Sequence, residues 1–246
     1  MDRRRWQDEL AQQAAAWGVA LSAEAVTGLG RHWELVQEAA GRFNLTAIRD
    51  DQEALVRHYL DSLVLLAAGG PWPATGLLVD LGSGAGFPGI PLLLALGPGW
   101  RGLLLESQGK KAAFLEAAVA ELGLGHRVTV EARRAEEAGR DERWREQADV
   151  VVARAVAPLN VLVEYGLPLL RVGGRLWAYK GPRVEGEWEG AARAAPLLGG
   201  RLAGRRDLDL PGGAGRRVLV EIVKEGPTPP AYPRRTGLPA RRPLGV

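Results

Sequence analysis

Apolar residues recur at helical spacing through the first 68 residues of the chain. Ser22 precedes the second of these patterns, as expected for a helix-capping residue, and a third pattern runs from about residue 51 to residue 68. Glycines and prolines between residues 69 and 73 then break the pattern. We therefore predict a helical region over residues 1–70. The apolar face of its first helix consists of Trp6, Leu10, Ala14 and Trp17.

Short apolar runs alternate with helical patterns from residue 77 onward. This alternation predicts a mostly parallel, doubly wound sheet whose ligands lie at the carboxyl ends of the strands. Residues 208–210 and 218–223 flank a glycine-rich loop and predict a closing antiparallel pair, so we assign residues 71–225 to one α/β domain. The other strand-like runs are 77–81, 102–106, 127–131, 148–153 and 173–179, and the helix-like runs are 88–96, 109–122, 158–170 and 184–197.

A basic, proline-rich tail over residues 226–246 ends the chain. The net charge of the protein is +3, and the tail alone carries +4, so the other residues sum to −1. Six prolines keep the tail from being helical throughout, and we expect it to be extended and exposed. Because positive charge concentrates there, the tail predicts contact with an anionic partner through Arg234, Arg235, Arg241 and Arg242.

A glycine turn follows the first predicted strand, in the sequence LLVDLGSGAGFPGIP of residues 77–91. Such a turn lets an adenosine-bearing cofactor lie directly on the backbone. Gly84, Gly86 and Gly89 satisfy the G-x-G-x-x-G pattern of dinucleotide-binding proteins, whereas Gly82, Gly84 and Gly86 satisfy the looser pattern of S-adenosylmethionine (SAM) enzymes. The spacing of the glycines therefore leaves two cofactors open.

Two acidic residues favour SAM at this turn. Asp80 stands at the tip of the strand, where it would repel a pyrophosphate and attract a cationic amine or sulfonium. Glu106 ends the next predicted strand, 24 residues after Gly82, which is close to the spacing of an acid that holds ribose hydroxyls. Glu106 would otherwise be a charge at the start of the following helix.

Composition excludes several other classes of site. The chain has no cysteine, which excludes disulfides, thiolate metal sites and cysteine nucleophiles. Its three histidines lack metal-ligand spacing, so we expect no metal, and His58, Asp61 and Ser62 are expected to pack against the sheet. No apolar run approaches the about 18 residues of a membrane span and no signal peptide is evident, so we expect a cytoplasmic protein.

Sequence blocks along nearly the whole chain resemble the RsmG family (glucose-inhibited division protein B) of bacterial 16S rRNA guanine-N7 methyltransferases. The blocks are NLTAI at 44–48, HYLDSL at 58–63, residues 79–91, LES at 105–107 with Lys110 and Lys111, RAVA at 154–157, Lys180 with Gly181, and YPRRTGLP at 232–239. The glycine turn is shared by many methyltransferases, whereas the first and last blocks are far more specific. Before Trp33 the match is loose.

The resemblance implies a Rossmann-like, SAM-dependent methyltransferase sheet with an N-terminal helical extension. It implies methyl transfer to a guanine N7 of small-subunit ribosomal RNA, free or in the subunit, with S-adenosylhomocysteine as product and no metal. Apart from the resemblance, we expect the protein to be a monomer. The residues that we expect to bind the cofactor are Asp80, Gly82, Gly84, Gly86, Phe87, Leu105, Glu106, Ser107, Ala135, Glu136 and Arg154. Of these, Glu136 could instead be a solvated charge at a helix start.

The residue types present also favour guanine N7 as the acceptor. N7 presents a lone pair and loses no proton, so its methylation depends mainly on positioning and needs no cysteine and no dedicated base. Arg154 follows the fourth strand and is a candidate for the SAM carboxylate, a phosphate or the guanine O6 edge, unless it pairs with Glu136 or Asp149. Lys180 ends the fifth strand and is a candidate for an RNA phosphate.

Two alternative functions remain open at this stage. An NAD-dependent oxidoreductase is favoured only by the G-x-G-x-x-G pattern of Gly84, Gly86 and Gly89, and a non-catalytic RNA-binding protein would use the basic tail alone.

Overall fold

The structure is a computed structural model that describes residues 2–68 and 72–246. Within these ranges, seven strands form one sheet in the order β3-β2-β1-β4-β5-β7-β6. Strands β1 to β5 run parallel, and β7 pairs antiparallel with both β5 and β6. The strands are β1 Gly76–Leu81, β2 Trp100–Leu105, β3 Val128–Glu131, β4 Ala148–Arg154, β5 Leu170–Lys180, β6 Gly200–Asp209 and β7 Arg216–Lys224. The predicted doubly wound sheet is confirmed.

Helices cover both faces of the sheet because its central strands are apolar on both sides. Strand β1 is buried over five of its six residues, and alternate side chains enter the two core clusters. Helices α4 (Asp61–Ala68), α5 (Gly89–Leu96) and α6 (Gly109–Glu121) pack on one face. Helices α7 (Ala135–Ala138), α8 (Leu159–Gly166) and α9 (Glu185–Ala194) pack on the other.

The N-terminal residues fold as helices, as predicted, and dock against the sheet next to the glycine turn. Helix α1 spans Arg3–Ala16, α2 spans Ala23–Ala40 and the short α3 spans Asp51–Ala54. Ser22 caps α2 by accepting a hydrogen bond from the Ala25 N–H. A third core cluster joins these helices to Ala85 and Phe87 of the glycine turn. The predicted third helix is interrupted by a π-helical segment, Leu55–Leu60, a feature that often marks functional sites.

The proline-rich tail differs from the extended, exposed segment that the sequence predicts. Beyond β7 it crosses the face formed by α7, α8 and α9, and it contains a short helix, α10 (Leu238–Arg241), near its end. Thr228 and Pro239 are buried, and Tyr232 and Leu244 pack against the core. The prolines exclude a long helix as expected, but backbone and apolar contacts hold the tail against the domain.

Of the predicted linker, residues 69–71 lie outside the described residues. None of the helices within residues 2–68 and 72–246 is both long and apolar enough to cross a membrane.

Candidate functional site

Two neighbouring cavities lie at the carboxyl ends of β1, β2, β4 and β5. The smaller, which we call the inner cavity, has a volume of about 70 Å³. The larger, which we call the outer cleft, has a volume of about 730 Å³. Val156 lines both cavities. The inner cavity is lined by Leu81, Gly82, Leu105, Ser107, Arg133, Arg134, Ala135, Glu136, Val156 and Tyr165. The outer cleft lies between β4, β5, β7 and the π-helical segment.

The turn after β1 has a backbone conformation that favours glycine. Gly82, Gly84 and Gly86 all have positive φ angles, of 65°, 57° and 94°. A Cβ on Gly86 would lie 2.5 Å from the Ile90 side chain, whereas a Cβ on Gly84 would meet nothing nearer than the Gly82 carbonyl at 3.9 Å. Gly84 therefore leaves open space above the turn, and Gly86 allows the close packing beneath it.

Asp80 is fully buried under the turn. Its Oδ2 accepts a hydrogen bond from the Gly89 N–H at 2.9 Å, which ties the end of β1 to the start of α5. Its Oδ1 is buried without a hydrogen-bond partner among the described residues. Burial raises the pKa of Asp80 to about 7, since desolvation disfavours the charged form. An unpartnered carboxylate oxygen at this position suits a cationic group of a ligand.

Glu106, the residue directly after β2, stabilises the same turn through hydrogen bonds. Its Oε2 accepts from the Gly84 N–H at 3.0 Å, and its Oε1 accepts from the Gln108 N–H at 2.8 Å, just before α6. The side chain is buried, yet each carboxylate oxygen can accept a second hydrogen bond. Glu106 therefore combines a helix-start contact with a capacity to hold hydroxyl groups.

Five of the eleven residues predicted to bind the cofactor line the inner cavity, namely Gly82, Leu105, Ser107, Ala135 and Glu136. Glu136 is 3% exposed, which excludes the alternative that it is a solvated charge at a helix start. Its Oε1 accepts a hydrogen bond from the Gly237 N–H of the tail at 2.8 Å. Sequence reasoning missed Arg133, Arg134 and Tyr165 in this lining, because no spacing signal marks them.

Phe87, which we predict to contact the cofactor, packs with the helical region and is not among the residues that line the inner cavity. Its ring stacks on the His58 imidazole with centroids 4.4 Å apart and packs edge-on against Tyr59. The Arg154 guanidinium lies 5.3 Å from the ring centroid. Phe87 thus connects the glycine turn to the helical region, because its apolar ring is buried among residues of those helices.

Arg154 faces the outer cleft and pairs with neither Glu136 nor Asp149. Its Nη1 donates to Asp61 Oδ2 at 2.9 Å and to the Arg57 carbonyl at 3.2 Å. The same carboxylate accepts two hydrogen bonds from Arg217 of β7. Asp61 is fully buried, so it clamps two arginines from the sheet to the helical region, which agrees with its predicted packing role.

The other polar groups of the outer cleft are paired as well. Lys180 donates to Glu187 and to the Ala157 carbonyl, both at 2.7 Å. Burial and the nearby Arg154 charge lower the pKa of His58 to about 3, so its imidazole is neutral. Ala155 has a φ of 57°, unusual for a residue with a side chain, at the point where β4 turns along the cleft.

The four tail arginines fall into two groups. Arg234 forms a bidentate pair with Glu164, with nitrogen–oxygen distances of 2.9 and 2.6 Å. Arg235, Arg241 and Arg242 are exposed, and none of them pairs with a carboxylate of the described residues. Of the four tail arginines, these three have guanidinium groups that are free to meet an external anion.

Among the described residues, no group of three or more acidic or histidine side chains gathers in a way that would hold a metal ion.

The strand order and the cavities at the ends of β1 and β2 define a Rossmann-like methyltransferase fold. A geranyl diphosphate methyltransferase in complex with SAM matches 68% of this chain and 85% of its own, with a TM-score of 0.52 and 17% identity. The geranyl diphosphate C-methyltransferase from Streptomyces coelicolor A3(2) matches with a TM-score of 0.50 and 15% identity, over 67% of this chain and 78% of its own. At these identities the similarity concerns the fold.

The family assignment comes from closer relatives. The family model for rRNA small subunit methyltransferase G matches residues 26–203. The ribosomal RNA small subunit methyltransferase G of Roseiflexus castenholzii is 48% identical over 96% of this chain and 99% of its own length, and that of Symbiobacterium thermophilum is 47% identical over 99% and 100%. The chain belongs to the rRNA small subunit methyltransferase G family, as its sequence motifs predict. The predictions of an enzyme and of SAM as its cofactor are confirmed, and the oxidoreductase alternative is set aside.

Proposed function

We propose that this protein transfers a methyl group from SAM to N7 of a guanine in small-subunit ribosomal RNA. The observation that supports N7 as the methyl acceptor is that the polar groups in the outer cleft are paired with one another. Asp61 is neutralised by two arginines, Glu187 by Lys180, and His58 is uncharged and hydrogen-bonded to Thr46. These groups offer no free base, and N7 needs none because attack through its lone pair releases no proton from the ring.

The residues of the glycine turn, the end of β2 and the adjoining inner cavity together fit SAM. The unpartnered Asp80 Oδ1 suits its cationic amino group, the remaining lone pairs of Glu106 suit ribose hydroxyls, and the open space above Gly84 leaves room for the cofactor. Leu105, Ala135 and the other lining residues would surround the adenine. When bound, SAM supplies a methyl group on a positively charged sulfur, which is electrophilic without assistance from a metal.

We propose that Arg154 orients the target guanine. Its Nη1 is held by Asp61 and the Arg57 carbonyl, while Nε and Nη2 donate to no acceptor of the described residues. Two such donors match a phosphate or the O6 edge of guanine. Lys180 is held by Glu187 at 2.7 Å, so any phosphate would compete with that carboxylate. We therefore give Arg154 the leading role.

For the RNA surface, we propose the exposed tail arginines Arg235, Arg241 and Arg242. Arg234 is withdrawn from this set, because its guanidinium is occupied by the buried Glu164. We further propose a cytoplasmic monomer in which residues 1–70, 71–225 and 226–246 act as docking region, methyltransferase domain and RNA-facing tail.

The test is incubation of isotopically labelled SAM with small subunits that lack the modification, followed by mapping of the labelled base. We expect one labelled guanine whose RNA strand is cut after borohydride and aniline treatment, which is characteristic of 7-methylguanine. A label on a ring carbon, an exocyclic amine or a ribose would contradict the assignment of N7.

A further inference from the structure

The C-terminal tail is fastened to the domain by hydrogen bonds at several places. Arg145 donates to the carbonyls of Thr228 and Tyr232 at 2.8 Å, and Arg140 donates to the Pro233 carbonyl at 2.8 Å. The strongest attachment follows immediately, where Arg234 meets Glu164 of α8. We call residues 228–237 the strap, because they cross from the end of the sheet to the rim of the inner cavity.

The Arg234–Glu164 pair is a specific anchor of the strap. Glu164 is 0% exposed and also accepts the Arg234 backbone N–H at 2.8 Å, so backbone and side chain of one residue bind the same carboxylate. Hydrogen bonding to Glu164 raises the pKa of Arg234. A buried carboxylate needs this partner, since an unpaired charge in the interior is strongly unfavourable.

Three residues beyond this anchor, the strap reaches the inner cavity. The Gly237 N–H donates to Glu136 Oε1 at 2.8 Å, with Gly237 in a left-handed conformation (φ 78°). Glu136 is 3% exposed and lines the inner cavity, and no donor of the described residues binds its Oε2. The strap therefore fixes one carboxylate oxygen and leaves the other for a ligand.

We propose that the strap is a positioning element of the cofactor site, in which Arg234 and Glu164 hold Gly237 so that it orients Glu136 toward the adenine. This inference rests on the proposed function, because it takes the inner cavity to hold the adenosine of SAM. Arg234 is then a positioning residue that acts through Glu136, and Glu136 is the residue that contacts the cofactor.

A double-mutant cycle tests the inference directly. The four proteins are the full-length wild type, Arg234→Ala, Glu136→Ala and the double variant, and the measurement is the SAM dissociation constant by calorimetry well below their melting temperatures. We expect Arg234→Ala to raise Kd about 2- to 10-fold, which is the effect of losing one net hydrogen bond. In the Glu136→Ala background the same substitution should leave Kd unchanged, because the contact that it orients is gone.

Two further variants separate positioning from stability. Arg193→Ala removes another arginine that holds the tail, through the Gly245 carbonyl at 2.8 Å, and should leave the SAM Kd within about twofold of wild type, inside the usual error of additivity. Arg234→Lys keeps the charge without the bidentate geometry and should give an intermediate Kd. It also replaces Arg234→Ala in the cycle if the alanine variant does not fold.

The steady-state parameters give a second readout. We expect the KM for SAM to rise in Arg234→Ala while kcat at saturating SAM and RNA stays at the wild-type value. Additive effects in the cycle, or a lowered kcat with an unchanged SAM Kd, would overturn the inference while leaving the proposed function intact. Failure of the wild type itself to bind SAM would instead remove the proposed function, and the inference with it.

Discussion

Replacing Asp61 by asparagine removes the charge that holds two arginines in the outer cleft. Breaking a buried ion pair by removing one partner costs about 3–5 kcal/mol. The Arg154 and Arg217 side chains are 13% and 22% exposed, so water compensates them partly and we expect the lower end, about 3 kcal/mol. For a protein of 246 residues this lowers the melting temperature by about 6–12 °C.

The assay is thermal unfolding of the variant beside a matched surface control. Glu225→Gln breaks the Arg201–Glu225 pair, whose side chains are both more than half exposed, and should cost no more than about 1 kcal/mol. SAM binding by Asp61→Asn should persist, because the inner cavity is separate. Methyl transfer should fall about 100-fold, since Arg154 loses its fixed orientation. Melting temperatures equal for the two variants would refute the reasoning that the Asp61 cluster is a desolvated clamp.

Three more outcomes follow from the cofactor site and the tail. Glu106→Ala should weaken SAM binding by about 1–3 kcal/mol in calorimetry, through unpaired hydroxyls and a loosened turn, and an unchanged Kd would remove its assigned role. With the pKa of Asp80 at about 7, its carboxyl is neutral below that pH, so SAM affinity should fall about fivefold from pH 7 to pH 6, and Asp80→Asn should abolish this dependence. Neutralising Arg235, Arg241 and Arg242 together should flatten the log–log salt dependence of RNA binding by about 2–3, with SAM affinity unchanged, and equal slopes would exclude the tail from the RNA surface.

Much of the sheet could be predicted because its central strands are apolar on both faces. Predicted runs such as 77–81 and 148–153 lie within one residue of the strands at Gly76–Leu81 and Ala148–Arg154. Hydrophobic patterning predicts only the end of strand β6, since its exposed edge carries charged residues such as Arg205 and Arg206. Charge of this kind protects an edge strand from pairing and hides it from hydrophobic patterning.

The candidate cofactor site was predictable to the extent that its residues stand near strand ends. Asp80 is the penultimate residue of β1, Glu106 directly follows β2, and Glu136 lies in α7 shortly after β3. The carboxyl ends of parallel strands meet at one edge of the sheet. Phe87 could not be placed from sequence, because the direction of its ring depends on where the N-terminal helices dock. The Asp61–Arg217 contact joins residues 156 positions apart, and no local pattern reports such a separation.

The tail illustrates a different limit. Composition shows the charge and the prolines of the tail, but it does not show which arginine forms an ion pair with a buried carboxylate. Arg234 and Arg235 are neighbours with the same side chain, yet one is paired with Glu164 and the other is exposed. That distinction depends on the position of α8, which the tertiary fold determines.

Gly89 explains why two glycine patterns overlap in one turn. A Cβ at this residue would lie 2.6 Å from Asp80 Oδ2 and 2.8 Å from the Leu104 side chain, beneath the turn and away from the open space above Gly84. The need for glycine there arises from the distance between helix and sheet, whichever ligand binds. An attempt to engineer the protein for another nucleotide should therefore leave Gly89 unchanged, because any side chain there would push α5 away from the sheet before a ligand is involved.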